Sequence, residues 1–183
     1  QSSHTGEFGH VSVKMDGPVC VCGIPGCLSI YASGTDIALE AARRTALAAG
    51  RPAPAAPSRR APWSSLDART VFLAAAGGDE VARSVVDDCC HAVGVALGGI
   101  VNGFNPQVVV VTGGVVGSLV SYEGVILERT ARYALPGALD GTRIHFLPGD
   151  KGRTVRGGAA LVLYERARRA APVTAGASWT PAV

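Results

Sequence analysis

The sequence predicts an α/β fold in which helices cover a sheet. Helix and strand patterns alternate from residue 79 to residue 170, which is typical of this class. A near-continuous valine run at 107–111 is typical of a strand that is buried on both faces. Apolar residues make up 48% of the 183 residues and aromatic residues only 5%, so Val, Leu, Ile and Ala must form the core.

The N-terminal part predicts short elements around a loop. Alternation favours a strand before the Asp-Gly-Pro turn at 16–18, and Thr35 is a candidate cap for a helix that Gly50 ends. Four prolines in residues 51–62 exclude a helix and predict an exposed, Pro-rich loop within the domain. The predicted segments are a strand at 10–14, a helical turn at 28–33, a helix at 35–49 and the loop at 51–62.

The remaining chain predicts longer helices and two strands. Asp79 starts the longest helix, which Asn105-Pro106 ends, and Gly94, Gly98 and Gly99 within it predict close backbone approach. The predicted segments are a helix capped by Ser65 or Asp67 through 76, a helix at 79–104, strands at 107–111 and 142–147, a helix at 121–134 and a last helix at 156–170. Residues 172–183 predict a disordered tail.

One histidine and three of the five cysteines lie within eighteen residues, at His10, Cys20, Cys22 and Cys27. Three cysteines and one histidine form a common complete ligand set for structural zinc. Gly, Pro and Asp between them predict a loop, which disfavours ordinary buried thiols. Three clustered cysteines leave one unpaired, which disfavours disulfides. The pattern therefore favours a zinc-binding loop at 10–27 over both alternatives.

Composition excludes several functional classes. The formal charge is only +3 and the arginine pairs are dispersed, so no basic stripe indicates nucleic-acid binding by these residues. No apolar run reaches the roughly 18 residues of a membrane span, and no signal peptide pattern occurs. Clustered thiols without a disulfide pattern favour a reducing cytoplasm. Because the metal motif begins so near residue 1, we expect the chain to be the C-terminal piece of a longer protein.

Three stretches resemble the ROK family of bacterial repressors and sugar kinases. They are Gly-Glu-Phe-Gly-His at 6–10 with the cysteine loop and Leu-Ser-Ile-Tyr-Ala-Ser-Gly at 28–34, Asn-Pro-Gln followed by the valine run and Thr-Gly-Gly at 105–114, and Arg-Gly-Gly-Ala-Ala-Leu at 156–161. The resemblance implies an actin-like, ribonuclease-H-like ATPase fold. Residues 1–171 would form most of its C-terminal lobe. The lobe that carries the phosphate-binding loop and the catalytic Asp, and the DNA-binding domain of repressors, would be absent from this chain.

The resemblance also implies a sugar site. Glu7 and His10 match the family residues that contact sugar hydroxyls, and His10 would bind zinc as well. The alternative for Glu7 is a solvated surface carboxylate, but its place beside the metal loop favours sugar contact. The family usually has Glu two residues after the last cysteine, whereas this chain has Ser29, whose shorter, uncharged side chain indicates an altered or a lost ligand.

A pair of glycines and a cluster of two cysteines and a histidine each allow more than one interpretation. Gly113 and Gly114 would let the chain pass close to a nucleotide, or they form a plain strand-to-helix turn. Cys89, Cys90 and His91 are adjacent on a helix and point in different directions, so they do not predict a metal site, and Cys89 belongs to the core. His145 is expected to be structural, and His4 is assigned no role.

The sequence therefore predicts the sugar-responsive lobe of a ROK transcriptional regulator with structural zinc. The alternative is the C-terminal lobe of an ATP-dependent sugar kinase, which would use ATP and Mg²⁺, and a third is a zinc-stabilised assembly module. No catalytic residue is expected in this chain. Expected partners are a small sugar or sugar phosphate and a second copy in a homodimer. DNA would be bound only through an absent N-terminal domain, and no membrane is expected.

Overall fold

The computed structural model describes residues 6–52 and 67–170, in which helices dominate. The helices are α1 (Leu28–Ala32), α2 (Gly34–Ala48), α3 (Ala68–Ala76), α4 (Glu80–Phe104), α5 (Val116–Leu119), α6 (Glu123–Tyr133), α7 (Pro136–Asp140) and α8 (Lys151–Ala170). The strands are β1 (Val108–Gly113) and β2 (Arg143–Pro148), and 3₁₀ turns occupy Phe8–His10 and Val120–Tyr122. This order confirms the α/β class. The predictions for residues 53–62, for Ser65 and for the tail at 172–183 lie outside the described residues.

The chain divides into two compact units, one ending at Gly149 and one beginning at Asp150. The second unit contains α8, in which Val155, Leu161, Val162, Leu163 and Tyr164 are exposed. Helix α8 begins at Lys151, five residues before the predicted start at Arg156. The early start has a local reason, because Asp150 accepts hydrogen bonds from the Gly152 amide and the Arg156 side chain.

Helix α4 is the centre of the first unit. The Asp79 carboxylate caps its first turn by accepting from the Ala82 amide at 2.7 Å, and Asn105 ends it in the left-handed conformation. Its buried positions include Val85, Cys89, Val93, Leu97 and Val101, and Cys89 belongs to the core as predicted. Phe104, in the last turn, is exposed.

Close packing of α6 on α4 depends on two of the three glycines. A Cβ at Gly94 or Gly98 would lie 2.7 Å from the Cβ of Arg129 or Tyr133. The prediction of close backbone approach is therefore confirmed at these two residues. It is wrong at Gly99, which has no atom within 4 Å of such a Cβ, because it lies on the exposed side of α4.

The two strands pair in parallel, with Val109 opposite Ile144 and Val111 opposite Phe146. The prediction that the valine run is buried on both faces is wrong, because burial alternates along β1. Val109 and Val111 pack against the core, whereas Val108 is 43% exposed and Val110 is 51% exposed. One face of the sheet is thus covered by the described residues and the other is not.

Three other boundaries differ from the prediction. No strand forms at 10–14. The segment that pairs with it becomes helical directly after Cys27, where α1 begins, so only one bridge forms, between Ser12 and Cys27. Ser33 rather than Thr35 caps α2, since its hydroxyl accepts from the Asp36 amide. Pro136 begins α7 as well as ending the preceding helix, because its missing amide hydrogen costs nothing in a first turn.

Helix α4 meets the length and hydropathy of a membrane span, contrary to the expectation that no segment does. However, 56% of its most apolar window is buried inside the protein. Such burial is the pattern of a core helix, and the contacts with α3 and α6 account for its apolar composition.

Candidate metal and ligand site

The loop from His10 to Cys27 brings the four predicted metal ligands together. The 3₁₀ turn places His10 at its last residue, and a bridge between Val19 and Pro25 folds the cysteine segment back on itself. One imidazole nitrogen of His10 and the Sγ atoms of Cys20, Cys22 and Cys27 all lie within 4.8 Å of one another. Within the described ranges, 6–52 and 67–170, this is the sole His, Cys and carboxylate group of this kind.

The spacings within this cluster fit a tetrahedral zinc site. Cys20 Sγ lies 3.6 Å from His10 Nδ1, and Cys22 Sγ lies 3.5 Å from Cys27 Sγ. Zinc bonds of about 2.3 Å to sulfur and 2.0–2.1 Å to nitrogen place neighbouring tetrahedral ligands about 3.5–3.8 Å apart. A disulfide needs sulfur atoms about 2.05 Å apart, so Cys22 and Cys27 are not bonded to each other, and all five cysteines are free.

The thiols of the cluster differ in their readiness to ionise. The backbone amide of Cys22, a hydrogen-bond donor, lowers the pKa of Cys20 to about 6. Burial raises the pKa of Cys27 to about 12, and the neighbouring thiols add to this effect. One thiolate forms readily, but three thiolates this close repel one another unless a cation sits between them. The donor set is therefore suited to a divalent ion that accepts sulfur ligands.

Gly26 closes the loop at a position that no other residue can occupy. Its φ is +65°, and a Cβ there would overlap the carbonyl oxygen of Lys14. Its amide donates to Pro18 O at 2.8 Å, and its carbonyl accepts from the Val13 amide at 2.9 Å. These bonds bring Cys27 back beside His10, whose carbonyl oxygen accepts from the Cys27 thiol at 3.4 Å.

The three predicted sugar contacts lie around this cluster. Glu7 is exposed and precedes the 3₁₀ turn, where its carbonyl accepts from the His10 amide at 3.0 Å. Ser29 lies in the first turn of α1, and its hydroxyl is 3.7 Å from Cys20 Sγ. A cavity of about 750 Å³ is lined by His10 and Ser29 but not by Glu7. The structure thus joins Ser29 to the metal cluster through a shared cavity, with Glu7 outside it.

The opposite wall of this cavity holds charged residues that the sequence analysis did not single out. Arg44 on α2 binds Glu40 at 2.7 Å and also pairs with Asp88 on α4. The Tyr31 hydroxyl is buried without a hydrogen-bond partner, and burial raises the pKa of Tyr31. The four-residue spacing of Glu40 and Arg44 was readable in the sequence. The contact with Asp88 was not, because it depends on how α2 crosses α4.

The predicted nucleotide residues are Gly113, the last residue of β1, and Gly114, which follows it. Gly113 has a φ of +137°, and no atom of the described residues lies within 4 Å of a Cβ built at either glycine. The Gly113 carbonyl accepts from the Gly149 amide at 3.2 Å. The strand end is therefore open to a ligand, but neither glycine lines the cavity beside the metal cluster.

The remaining cysteines and histidines lie apart from the site. Cys89 and Cys90 are both buried in the core, and burial raises their pKa values to about 12 and about 11. His91 is exposed and lies 3.1 Å from the Tyr133 hydroxyl. His145 is an exposed residue of β2, and His4 lies outside the described residues.

The chain matches the model of the ROK family over residues 1–164, and it therefore belongs to the ROK family. It is 35% identical to a glucokinase of Halalkalibacterium halodurans over 168 residues, which cover 86% of this chain and 47% of that protein. The chain thus spans about half the length of this curated relative.

Solved structures of both functional branches resemble the chain. A ROK family transcriptional regulator, a homologue of the E. coli MLC protein, matches with a TM-score of 0.59 and 26% identity over 77% of this chain and 34% of its own. The ROK hexokinase of Thermus thermophilus matches with a TM-score of 0.55 and 31% identity over 79% of this chain and 42% of its own. Membership of this chain in the ROK family, which the motifs indicated, is thus confirmed. Both a regulator and a kinase are among the structures that resemble it.

Proposed function

We propose that residues 1–171 form the sugar-binding, zinc-stabilised C-terminal lobe of an actin-like ROK transcriptional regulator. The observation that carries the proposal is the position of His10. Its Nδ1 faces Cys20 Sγ, and its 3₁₀ turn begins directly after Glu7. One residue therefore belongs both to the metal cluster and to the segment that would contact a sugar.

Zinc would be held by His10, Cys20, Cys22 and Cys27, and it would fix the loop without taking part in a reaction. When Nδ1 is a metal ligand, the other ring nitrogen carries a proton and donates a hydrogen bond. The Glu7 carboxylate accepts hydrogen bonds from hydroxyl groups. A sugar hydroxyl, which donates and accepts, would satisfy both residues.

Ser29 supports a regulator over a kinase. Its hydroxyl faces the metal cluster at 3.7 Å from Cys20 Sγ, where a carboxylate is expected in the family. A regulator needs only to bind its sugar or sugar phosphate and change shape, so loss of a charged contact is tolerated. In this proposal the protein is a cytoplasmic homodimer, and DNA is bound by a domain outside these residues.

The second candidate function is ATP-dependent sugar phosphorylation, and the 35% identity to a glucokinase favours it. In that case Gly113 and Gly114 would approach the phosphates of Mg-ATP, because both leave the strand end open. The general base would belong to a lobe outside this chain, since no described residue was assigned that role.

The full-length protein tests both functions. Isothermal titration with glucose, xylose and N-acetylglucosamine should detect binding of at least one sugar, and Glu7→Gln should weaken it about tenfold, the loss of one charge-assisted hydrogen bond. Glu128→Gln, at an exposed carboxylate on α6, is the matched control and should bind normally. Sugar-dependent release of ADP from ATP would establish the kinase instead. Absence of binding for every sugar tested would overturn both.

A further inference from the structure

Cys22 differs from the other four cysteines in its accessibility. Cys27 and Cys89 are 0% exposed, Cys90 is 1% exposed and Cys20 is 8% exposed, whereas Cys22 is exposed. Oxidation of thiols follows exposure and thiolate character. A small oxidant in solution therefore reaches the sulfur of Cys22 before that of any other cysteine in the chain.

The geometry also selects the sulfur that would react next. Cys22 Sγ lies 3.5 Å from Cys27 Sγ, so the two approach by only about 1.5 Å to form a disulfide. The segment between them contains Gly23 and Gly26, both with positive φ, which fold it into a tight turn. Cys20 Sγ faces His10 Nδ1 and the Ser29 hydroxyl instead.

We propose that Cys22 is a peroxide-modification site that forms a disulfide with Cys27 and expels the metal. The Cys22 thiolate attacks one oxygen of hydrogen peroxide, which forms an S–O bond, breaks the O–O bond and releases hydroxide. The Cys27 sulfur then attacks the Cys22 sulfur, which forms the S–S bond and breaks the S–O bond. The hydroxide that leaves takes up the proton of the Cys27 thiol and becomes water. The two cysteines lose two electrons in total, and peroxide is reduced to two waters once the first hydroxide also takes up a proton.

Oxidation would reach the ligand site through Cys27. This residue directly precedes α1, which carries Ser29, and its thiol donates to the His10 carbonyl oxygen. A disulfide removes two of the four metal ligands and this contact. Metal release rests on the zinc site proposed above, whereas the choice of the Cys22–Cys27 pair rests on geometry alone.

The test treats the zinc-loaded, full-length protein with hydrogen peroxide. A metallochromic indicator should report one zinc released per chain, and dithiothreitol followed by zinc should restore the starting state. After denaturation without reductant, iodoacetamide should alkylate Cys20, Cys89 and Cys90 but spare Cys22 and Cys27, as peptide mass spectrometry would show. Alkylation of Cys27 with Cys20 spared, or release of no zinc at full oxidation of Cys22, would overturn the proposal.

Variants separate this proposal from a general loss of the loop. Cys20→Ser keeps the reactive pair and should still form the Cys22–Cys27 disulfide, even where it binds zinc poorly. Cys22→Ser should form none, and Cys90→Ser, a buried core thiol, should behave as the unmodified protein does. If the purified protein holds no zinc, the zinc proposal fails. The same alkylation and peptide mass spectrometry on the metal-free protein then show whether Cys22 pairs with Cys27. A disulfide that includes Cys20 would refute the Cys22–Cys27 pairing.

Discussion

The metal loop (residues 10–27) and the helical core (α3, α4 and α6) contrast in what holds them together. Large apolar side chains of the loop are exposed to solvent, since Met15 is 90% exposed and Val21 is 79% exposed. In the core, Val85 is 3% exposed and Ile126 is fully buried. The core is therefore stabilised by apolar burial, and the loop is not.

This contrast shows what zinc would do for the loop. A segment that cannot bury enough apolar surface needs another source of free energy, such as a bound metal. The loop has only two isolated backbone bridges and a few turn hydrogen bonds. Its four ligands are the groups that converge at its centre, where a core would otherwise be. The two regions should accordingly respond to different perturbations.

The largest expected effect is the loss of one buried ligand, Cys27→Ser. Zinc should fall well below one equivalent in elemental analysis, and the loop should lose more than about 4 kcal/mol, as expected for a lost structural metal. Hydrogen exchange should show this locally, because the Val13 amide that donates to Gly26 O would lose protection. Amides of α4 should keep theirs.

Cys89→Ser is the matched control in the core, where the side chain is equally buried. It should cost about 1–3 kcal/mol for a buried hydroxyl, yet retain one equivalent of zinc. Equal zinc content in Cys27→Ser and the unmodified protein would refute the assignment of Cys27 as a ligand. Loss of protection in α4 would show that the two regions are not independent.

A smaller effect tests the core, through Gly98→Ala. The new Cβ would lie 2.7 Å from Tyr133 Cβ and 2.9 Å from the Tyr133 carbonyl carbon, so α6 must shift. We expect a loss of about 1–3 kcal/mol in denaturant unfolding, with zinc content unchanged. Gly99→Ala, one residue away with open space, should instead gain up to about 1 kcal/mol from helix propensity. If both variants gain stability, α4 and α6 are not in close contact at Gly98.

The same contrast explains which features were predictable from sequence. Helix caps such as Asp67 and Asp79 act within one turn, so local patterns identified the starts of α3 and α4. The metal set was equally local, because its ligands lie within eighteen residues and have a distinctive chemistry. The core helix was therefore located from the sequence, and the four side chains predicted to bind metal do lie together.

Features that depend on distant parts of the chain were not predicted. The exposed face of β1 at Val108 and Val110 follows from what covers the sheet, and residue pattern alone cannot specify that. The pairing of Arg44 with Asp88 joins residues 44 positions apart. Gly99 and Gly98 look alike in sequence, and only the side of α4 that meets α6 separates them.

Charged pairs join α2 to α4 of the helical core, and they should contribute least to stability. Glu40 accepts from Arg43 at 2.6 Å and from Arg44 at 2.7 Å, and Arg44 continues to Asp88 on α4. Hydrogen bonds from Arg43 lower the pKa of Glu40, with Arg44 adding to the effect. Glu40→Gln should therefore cost only about 0.5–1 kcal/mol at neutral pH, because the network is partly exposed.

The pH dependence of the stability lost in Glu40→Gln shows whether the loss comes from the charge of Glu40. Because the folded pKa of Glu40 lies below the ordinary value of about 4.3, its ionised form stabilises the folded state above that pH. The contribution is lost as pH falls through the folded pKa, so the difference between Glu40→Gln and the unmodified protein should vanish in acid. Glu128→Gln, whose side chain is 66% exposed beside Arg132, should show a smaller difference at neutral pH. A difference for Glu40→Gln that persists in acid would mean that packing of the side chain along α2, rather than its charge, accounts for the loss of stability.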